Sequence, residues 1–143
     1  MSHLLSILNL KLHSMSSIFT KIVAGEIPSF SLAEDENYLA FLDAMPLVKG
    51  HTLIIPKKET DLIFDLEKED FKNLWSFAQQ VAKKMEKAFP DRRIAVAVVG
   101  LEVPHAHIHL IPIQKMEDMN FKNVRLKFSD EEYREIQNLI INS

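Results

Sequence analysis

An α+β fold built on a largely antiparallel sheet of about five strands is what this sequence predicts. Three observations carry the expectation. Short runs rich in β-branched and aromatic residues, each closed by proline, glycine or a polar turn, cluster in both halves of the chain. One long amphipathic stretch separates them. The segments never settle into the regular strand–helix–strand alternation that a parallel sheet requires. At 143 residues, with 47% hydrophobic and 26% charged residues, the chain has the make-up of one globular domain with a proper core.

The elements follow in order. Residues 1–15 read as an N-terminal extension, in which Leu4, Leu5, Ile7, Leu8, Leu10 and Leu12 form a short apolar stretch. It lacks the cationic leading segment and small-residue cleavage site of a signal peptide. Ser16 or Ser17 caps a short helix through Ile18, Phe19, Ile22 and Val23, which Gly25 stops. Strands are expected over 29–33 and 38–43, around the acidic turn Glu34-Asp35-Glu36-Asn37. A loop from Pro46 to Gly50 leads into a third strand over 51–56, and 60–65 suits a short helical turn. The long helix over 68–89 sets Phe71, Leu74, Trp75, Ala78, Val81, Ala82, Met85 and Ala88/Phe89 at three- and four-residue spacing, with lysines opposite. The last two strands, over 93–99 and 103–113, are joined by Gly100-Leu101-Glu102. Ser129 and Glu132 form a capping box that opens a C-terminal helix to about residue 140.

Charge and composition narrow the function classes. A net charge of −3 gives no basic footprint for a nucleic acid polymer. No apolar run approaches the roughly 20 residues of a membrane span. The absence of Cys excludes disulfides and thiolate metal sites and fits a cytoplasmic location.

The chemistry concentrates in Pro104-His105-Ala106-His107-Ile108-His109-Leu110-Ile111-Pro112. Alternation at the strand period sends His105, His107 and His109 to one face and Ala106, Ile108 and Leu110 to the other. Half of the chain's six histidines thus sit in five residues. Imidazole accepts, donates and attacks near neutral pH, so the row reads as a site for catalysis at phosphate. A metal site is the competing reading. At about 3.3 Å per residue, His105 and His109 have Cα atoms roughly 13 Å apart, so one ion would hardly gather all three rings within about 2.1 Å. The nearest downstream carboxylates, Glu117 and Asp118, lie beyond Pro112. The expectation is a site without metal or other cofactor.

Taken in order, these motifs resemble the histidine triad (HIT) family. Ser17-Ile18-Phe19-x-Lys21-Ile22-Val23-x-Gly25-Glu26-Ile27-Pro28 is similar to its opening segment, and Phe41-Leu42-Asp43 to its nucleoside-binding strand. Gly50-His51-Thr52-Leu53-Ile54-Ile55-Pro56-Lys57 resembles its central strand, and residues 103–112 its His-x-His-x-His signature. The likeness implies a HIT-like domain over 16–114, between the extension 1–15 and a C-terminal extension with a helix over 115–143. It also implies a mechanism. His107 attacks the α-phosphorus of a nucleotide, a nucleotidyl-histidine forms, and water releases the nucleoside monophosphate. By the same resemblance His105 orients the nucleophile, His109 sits at the phosphate and His51 completes the polar cluster. Asp43 accepts from the ribose hydroxyls, while Ile18, Phe19, Phe41 and Leu42 wall the base pocket. A homodimer paired through the long helix and an edge strand is implied too, with Trp75 and Phe71 as possible anchors.

One stretch departs from the family pattern. Members commonly carry a longer, Asn- and Gly-rich loop before the triad that ends in a polar pair. Here Val98-Val99 and Gly100-Leu101-Glu102 stand in its place, and Leu101 replaces a side chain that would meet the leaving-group atom. Losing such a donor costs about 10²–10³ in rate at a preorganised site. Glu102 is the nearest substitute. The expected function is a nucleotide hydrolase acting on a nucleoside phosphoramidate or dinucleoside polyphosphate. The alternatives are a nucleotidyl transferase and a nucleotide-binding regulatory module with vestigial catalysis.

Overall fold

The computed structural model describes residues 17–143, so the apolar extension over 1–15 and the alternative cap at Ser16 lie outside the described residues. Ser17 caps α1 (Ile18–Val23) from an extended backbone, its side chain accepting the Thr20 N–H at 3.0 Å. Five strands follow: β1 (Ser31–Glu34), β2 (Tyr38–Leu42), β3 (Thr52–Pro56), β4 (Arg93–Ala97) and β5 (Ile108–Ile113). They form one antiparallel sheet in the order β1-β2-β3-β5-β4. The acidic turn between β1 and β2 is built by Asp35, whose carboxylate accepts the N–H groups of Asn37 and Tyr38.

Between β3 and β4 runs α2 (Lys68–Ala88), the long helix the 3.6-residue period predicts. Its buried stripe holds Leu74, Ala78, Val81 and Met85 as expected, and Phe77 as well, which the expected stripe omits. Strand alternation divides the apolar side chains between two faces. Ala40, Leu42, Ile54, Ile108 and Leu110 join α2 in the main core, while Leu39, Phe41, Leu53 and Ile55 meet Phe19 of α1 on the other face. Burial of each large aliphatic side chain contributes about 1.5–3 kcal/mol.

Three strand boundaries differ from expectation by two residues or more. β1 begins at Ser31, with an irregularity between Ser31 and Ala33. β4 ends at Ala97, two residues early. The strand expected over 103–113 joins the ladder only at Ile108. Before it, the Ala106 N–H bonds the Thr60 carbonyl at 2.6 Å, and the Pro56 carbonyl meets the His105 ring instead of a neighbouring strand. Tertiary partners thus take the groups that would extend the sheet.

Residues 115–143, set apart in the sequence as an extension, pack into the same core. A 3₁₀ turn (Met116–Met119) follows β5, and α3 (Asp130–Ile141) starts at the expected capping box of Ser129 and Glu132. Tyr133, Ile136 and Ile140 are buried with the α2 stripe, and Tyr133 stacks on Phe30 at 4.9 Å. One glycine is needed by shape. Gly50 sits at φ +88°, and a Cβ there would stand 2.7 Å from the Phe89 ring. That close approach fixes the chain immediately before His51. Among the described residues no helix is long and apolar enough to cross a membrane.

Candidate active site

His109 lies on β5 opposite Leu53 of β3 and Ala97 of β4, in the middle of the sheet. His107 and His105 precede the ladder, yet the alternation persists: Ala106 and Ile108 drop into the main core while the imidazoles share the opposite face. All three are buried, and so is His51, whose Nε2 stands 2.9 Å from His109 Nδ1.

Each ring's hydrogen-bond partners fix where its proton sits. His105 Nε2 is 2.7 Å from the Pro56 carbonyl, which only accepts, so Nε2 carries the hydrogen and Nδ1 accepts from Ser17 Oγ at 2.8 Å. His107 Nδ1 is 2.7 Å from the His105 carbonyl, so Nδ1 carries a hydrogen and the neutral ring has its lone pair on Nε2. The Leu47 N–H donates to His51 Nδ1 at 3.0 Å, so His51 Nε2–H donates to His109 Nδ1. His109 therefore presents Nε2–H. A bare nitrogen lone pair on His107 thus stands beside an N–H donor, the two rings 4.8 Å apart.

The electrostatics keep this pattern in place. Burial pushes His51 and His109 down to about 3, assisted at His51 first by the Arg125 charge and at His109 first by His107. Burial also lowers His105, against the opposing pull of the Pro56 carbonyl and Glu59. These imidazoles are neutral at neutral pH.

A polar clip behind His105 was not foreseen. Ser17, read from the sequence only as a helix cap, also donates its N–H to Glu59 Oε1 at 2.6 Å. Its hydroxyl lies 3.2 Å from Thr20 Oγ1, which is 3.4 Å from His105 Nδ1. The Ser17 N–H is the main cause holding the Glu59 carboxyl below its usual range. Glu59 and His105 lie 42 and 88 residues from Ser17, so no local pattern announces the cluster.

The expected pocket residues separate. Phe19 packs edge-on against His107 at 5.0 Å and against Phe41 at 5.6 Å. Leu42 does not join them: it points into the α2 core, because β2 alternates and Phe41 and Leu42 take opposite faces. Ile18 is half exposed, and Ile22, Val23 and Val103 line the Phe19 cluster in its stead. Leu101 is 90% exposed and is not packed at the triad. Asp43 is at the site, accepting the Met45 N–H at 2.8 Å with one oxygen and facing His51 Nε2 at 3.4 Å with the other.

Asp43, His51 and His109 also bring three donor atoms within 4.8 Å of one another. Their hydrogen-bond polarity does not fit a cation. A metal on His51 Nε2 would move the proton to Nδ1, where it would face the Leu47 N–H.

The C-terminal segment supplies what the sequence did not reveal. The Phe121 ring lies 5.0 Å from His109, and the Arg125 guanidinium lies 5.6 Å from Phe121. Arg125 donates to the Met45 carbonyl at 2.9 Å and the Phe121 carbonyl at 3.4 Å, while the Tyr133 hydroxyl donates to the Asp43 carbonyl at 2.9 Å.

Alternating buried histidines on one face of a five-stranded antiparallel sheet, backed by a long helix, define a histidine triad protein. The HIT domain profile matches residues 24–116, and the chain belongs to the HIT family. It is 36% identical over 126 residues to an uncharacterised HIT-like protein of Methanocaldococcus jannaschii, covering 84% of this chain and 98% of that one. It is 38% identical over 96 residues to the adenosine 5′-monophosphoramidase of Saccharomyces cerevisiae, covering 66% of this chain and 61% of the yeast protein. The crystal structure of a HIT-like protein from Bartonella henselae superposes with a TM-score of 0.77 at 31% identity, over 89% of this chain and 95% of that one.

Proposed function

We propose that the protein is a nucleotide hydrolase that cleaves at the α-phosphate of a nucleoside phosphoramidate or dinucleoside polyphosphate through a nucleotidyl-His107 intermediate. The observation that carries the reading is the tautomer of His107. Its Nδ1–H is tied to the His105 carbonyl, so in the neutral ring the lone pair is on Nε2, the nitrogen free to attack. The name of the yeast relative, a monophosphoramidase, supports the same chemistry.

In the first step His107 Nε2 forms a bond to phosphorus, and the bond to the leaving group breaks with its electron pair; a phosphate departs as its anion, while an amine takes a proton from solvent as it leaves. The resulting imidazolium keeps its Nδ1–H on the His105 carbonyl. His109 Nε2–H donates to the charge that develops on the phosphoryl oxygens. In the second step water adds to phosphorus, the phosphorus–nitrogen bond breaks, and one water proton goes to solvent. Nucleoside monophosphate leaves and the Nε2 lone pair is restored. Asp43 receives the ribose hydroxyls, and Phe19 with Phe41 walls the base. His105 holds the carbonyl that sets the nucleophile's tautomer, and is itself pinned by Pro56 and Ser17.

The test is covalent trapping. Wild-type protein mixed with an α-labelled adenylate donor and denatured in alkali carries label, while His107→Ala carries none and loses essentially all release of AMP. A His107→Ala protein with near-normal turnover would overturn the mechanism. Label passed to a second phosphate compound would select the transferase reading. The exposed position of Leu101, away from the triad, favours the regulatory-module reading; retained label without AMP release would select it.

A further inference from the structure

The rings of Phe41, Phe19, His107, His109 and Phe121 form a continuous row, with successive centroids 5.6, 5.0, 4.8 and 5.0 Å apart. The row is apolar at the Phe41 end. At the other end lies Arg125, 5.6 Å from Phe121. The guanidinium is tied to the site through two neighbours. Phe121 touches His109, and Met45, whose carbonyl accepts from Arg125, is itself bound by Asp43. Both anchoring acceptors are neutral carbonyls, and among the described residues no carboxylate forms an ion pair with Arg125. Of a guanidinium's five donors, only some are used, and its charge persists at any physiological pH.

The histidines around it bring no permanent charge, since burial keeps His51 and His109 neutral. A nucleotide nevertheless delivers at least one negative charge to this site, and one more with each added phosphate. Arg125, over the Phe121 ring that packs on His109, is a fixed cation beside the triad that can meet it. It stands outside the stretch matched by the HIT domain, 24–116, in the C-terminal segment.

We propose that Arg125 receives the phosphates of the leaving group and so selects phosphoanhydride substrates, such as dinucleoside polyphosphates, over phosphoramidates. The inference rests on the hydrolase reading for its kinetic arm and on binding alone for its second arm. In the first arm, kcat/KM is measured on diadenosine tetraphosphate and on adenosine 5′-phosphoramidate for wild type, Arg125→Gln and Arg125→Lys. Gln keeps a donor for the Met45 carbonyl and loses the charge; Lys keeps the charge. The ratio of the two kcat/KM values should fall about 10–100-fold in Arg125→Gln, the range of a hydrogen bond to a charged group, and recover in Arg125→Lys. An unchanged ratio would overturn the proposal.

In the second arm, calorimetry without magnesium compares AMP, ADP and ATP. Affinity should rise with phosphate number in the wild type, weaken with added salt, and lose that rise in Arg125→Gln. A wild-type series that is flat in phosphate number would overturn the proposal without use of any variant. Should the wild type release AMP from neither substrate, the hydrolase reading fails, and the affinity series still decides the role of Arg125.

Discussion

Moving from pH 7.5 to pH 5 should lower the stability of the fold by about 4 kcal/mol through two histidines. His51 and His109 are held at about 3 in the folded protein, against about 6.5 in the unfolded chain. Their folded values are depressed, so between these limits the unfolded state binds the extra protons. Their contribution is fully present above pH 6.5 and is lost as the pH falls toward 3. Each group loses about 1.4 kcal/mol per pH unit below its unfolded value, or about 2 kcal/mol at pH 5. Both are fully enclosed or nearly so, at 0% and 7% exposure, so solvent screening takes little away. The lowered His105 adds in the same direction. Carboxylates confuse the window little, because their ordinary values lie near 4. Urea unfolding followed by Trp75 fluorescence reads the effect. With a slope of about 2 kcal/mol per molar, the midpoint should drop by about 2 M. His109→Gln, which still offers an acceptor to His51 Nε2–H, should halve the drop. A midpoint that moves less than about 0.5 M would mean these imidazoles are charged in the folded state, and the tautomer assignment would collapse with it.

Three further outcomes follow from the geometry. Ser17→Ala removes the donor to His105 Nδ1 and should cost about 1–3 kcal/mol of stability, with kcat falling more than KM changes; Ser17→Thr should restore kcat, and a variant that alters KM alone would deny Ser17 a positioning role. Gly50→Ala combines a left-handed backbone with a clash against Phe89 and should destabilise by about 2–5 kcal/mol, read as a lower Tm; a loss below about 1 kcal/mol would show that the His51 turn is pliable. The β4 edge of the sheet carries a half-exposed Val96 and is open to pairing with a second copy, so light scattering should report about twice the chain mass of 16.5 kDa. A mass of one chain at micromolar concentration would refute the dimer.

How much of this was legible beforehand depends on the range of the interaction. The sheet and the long helix show in the sequence because their hydrophobic periods are local and their ends carry Pro, Gly or a cap. The triad shows for the same reason. Leu42 was misplaced although the signal existed. If Asp43 belongs beside His51, strand alternation puts Phe41 with it and Leu42 opposite, but all five β2 residues are apolar and none betrays its face. The late start of regular pairing at Ile108 was not readable, since Thr60 and the His105 ring compete for groups far away in sequence. Ser17, Glu59, Phe121 and Arg125 share that problem: each reaches the site through the fold, and none repeats at a strand or helix period.

The tautomers of His51 and His107 are set entirely by main-chain groups, the Leu47 N–H and the His105 carbonyl, and the Pro56 carbonyl fixes one nitrogen of His105. Changes to the side chains at 47 and 56 leave those dipoles in place as long as the backbone path is kept. The direction in which protons point across the site is therefore a property of the chain trace. Side chains along the Phe19–Phe41 wall can be exchanged to alter which base is accepted without scrambling which nitrogen attacks, whereas a one-residue insertion between Leu47 and His51 would reverse a proton while leaving every histidine present.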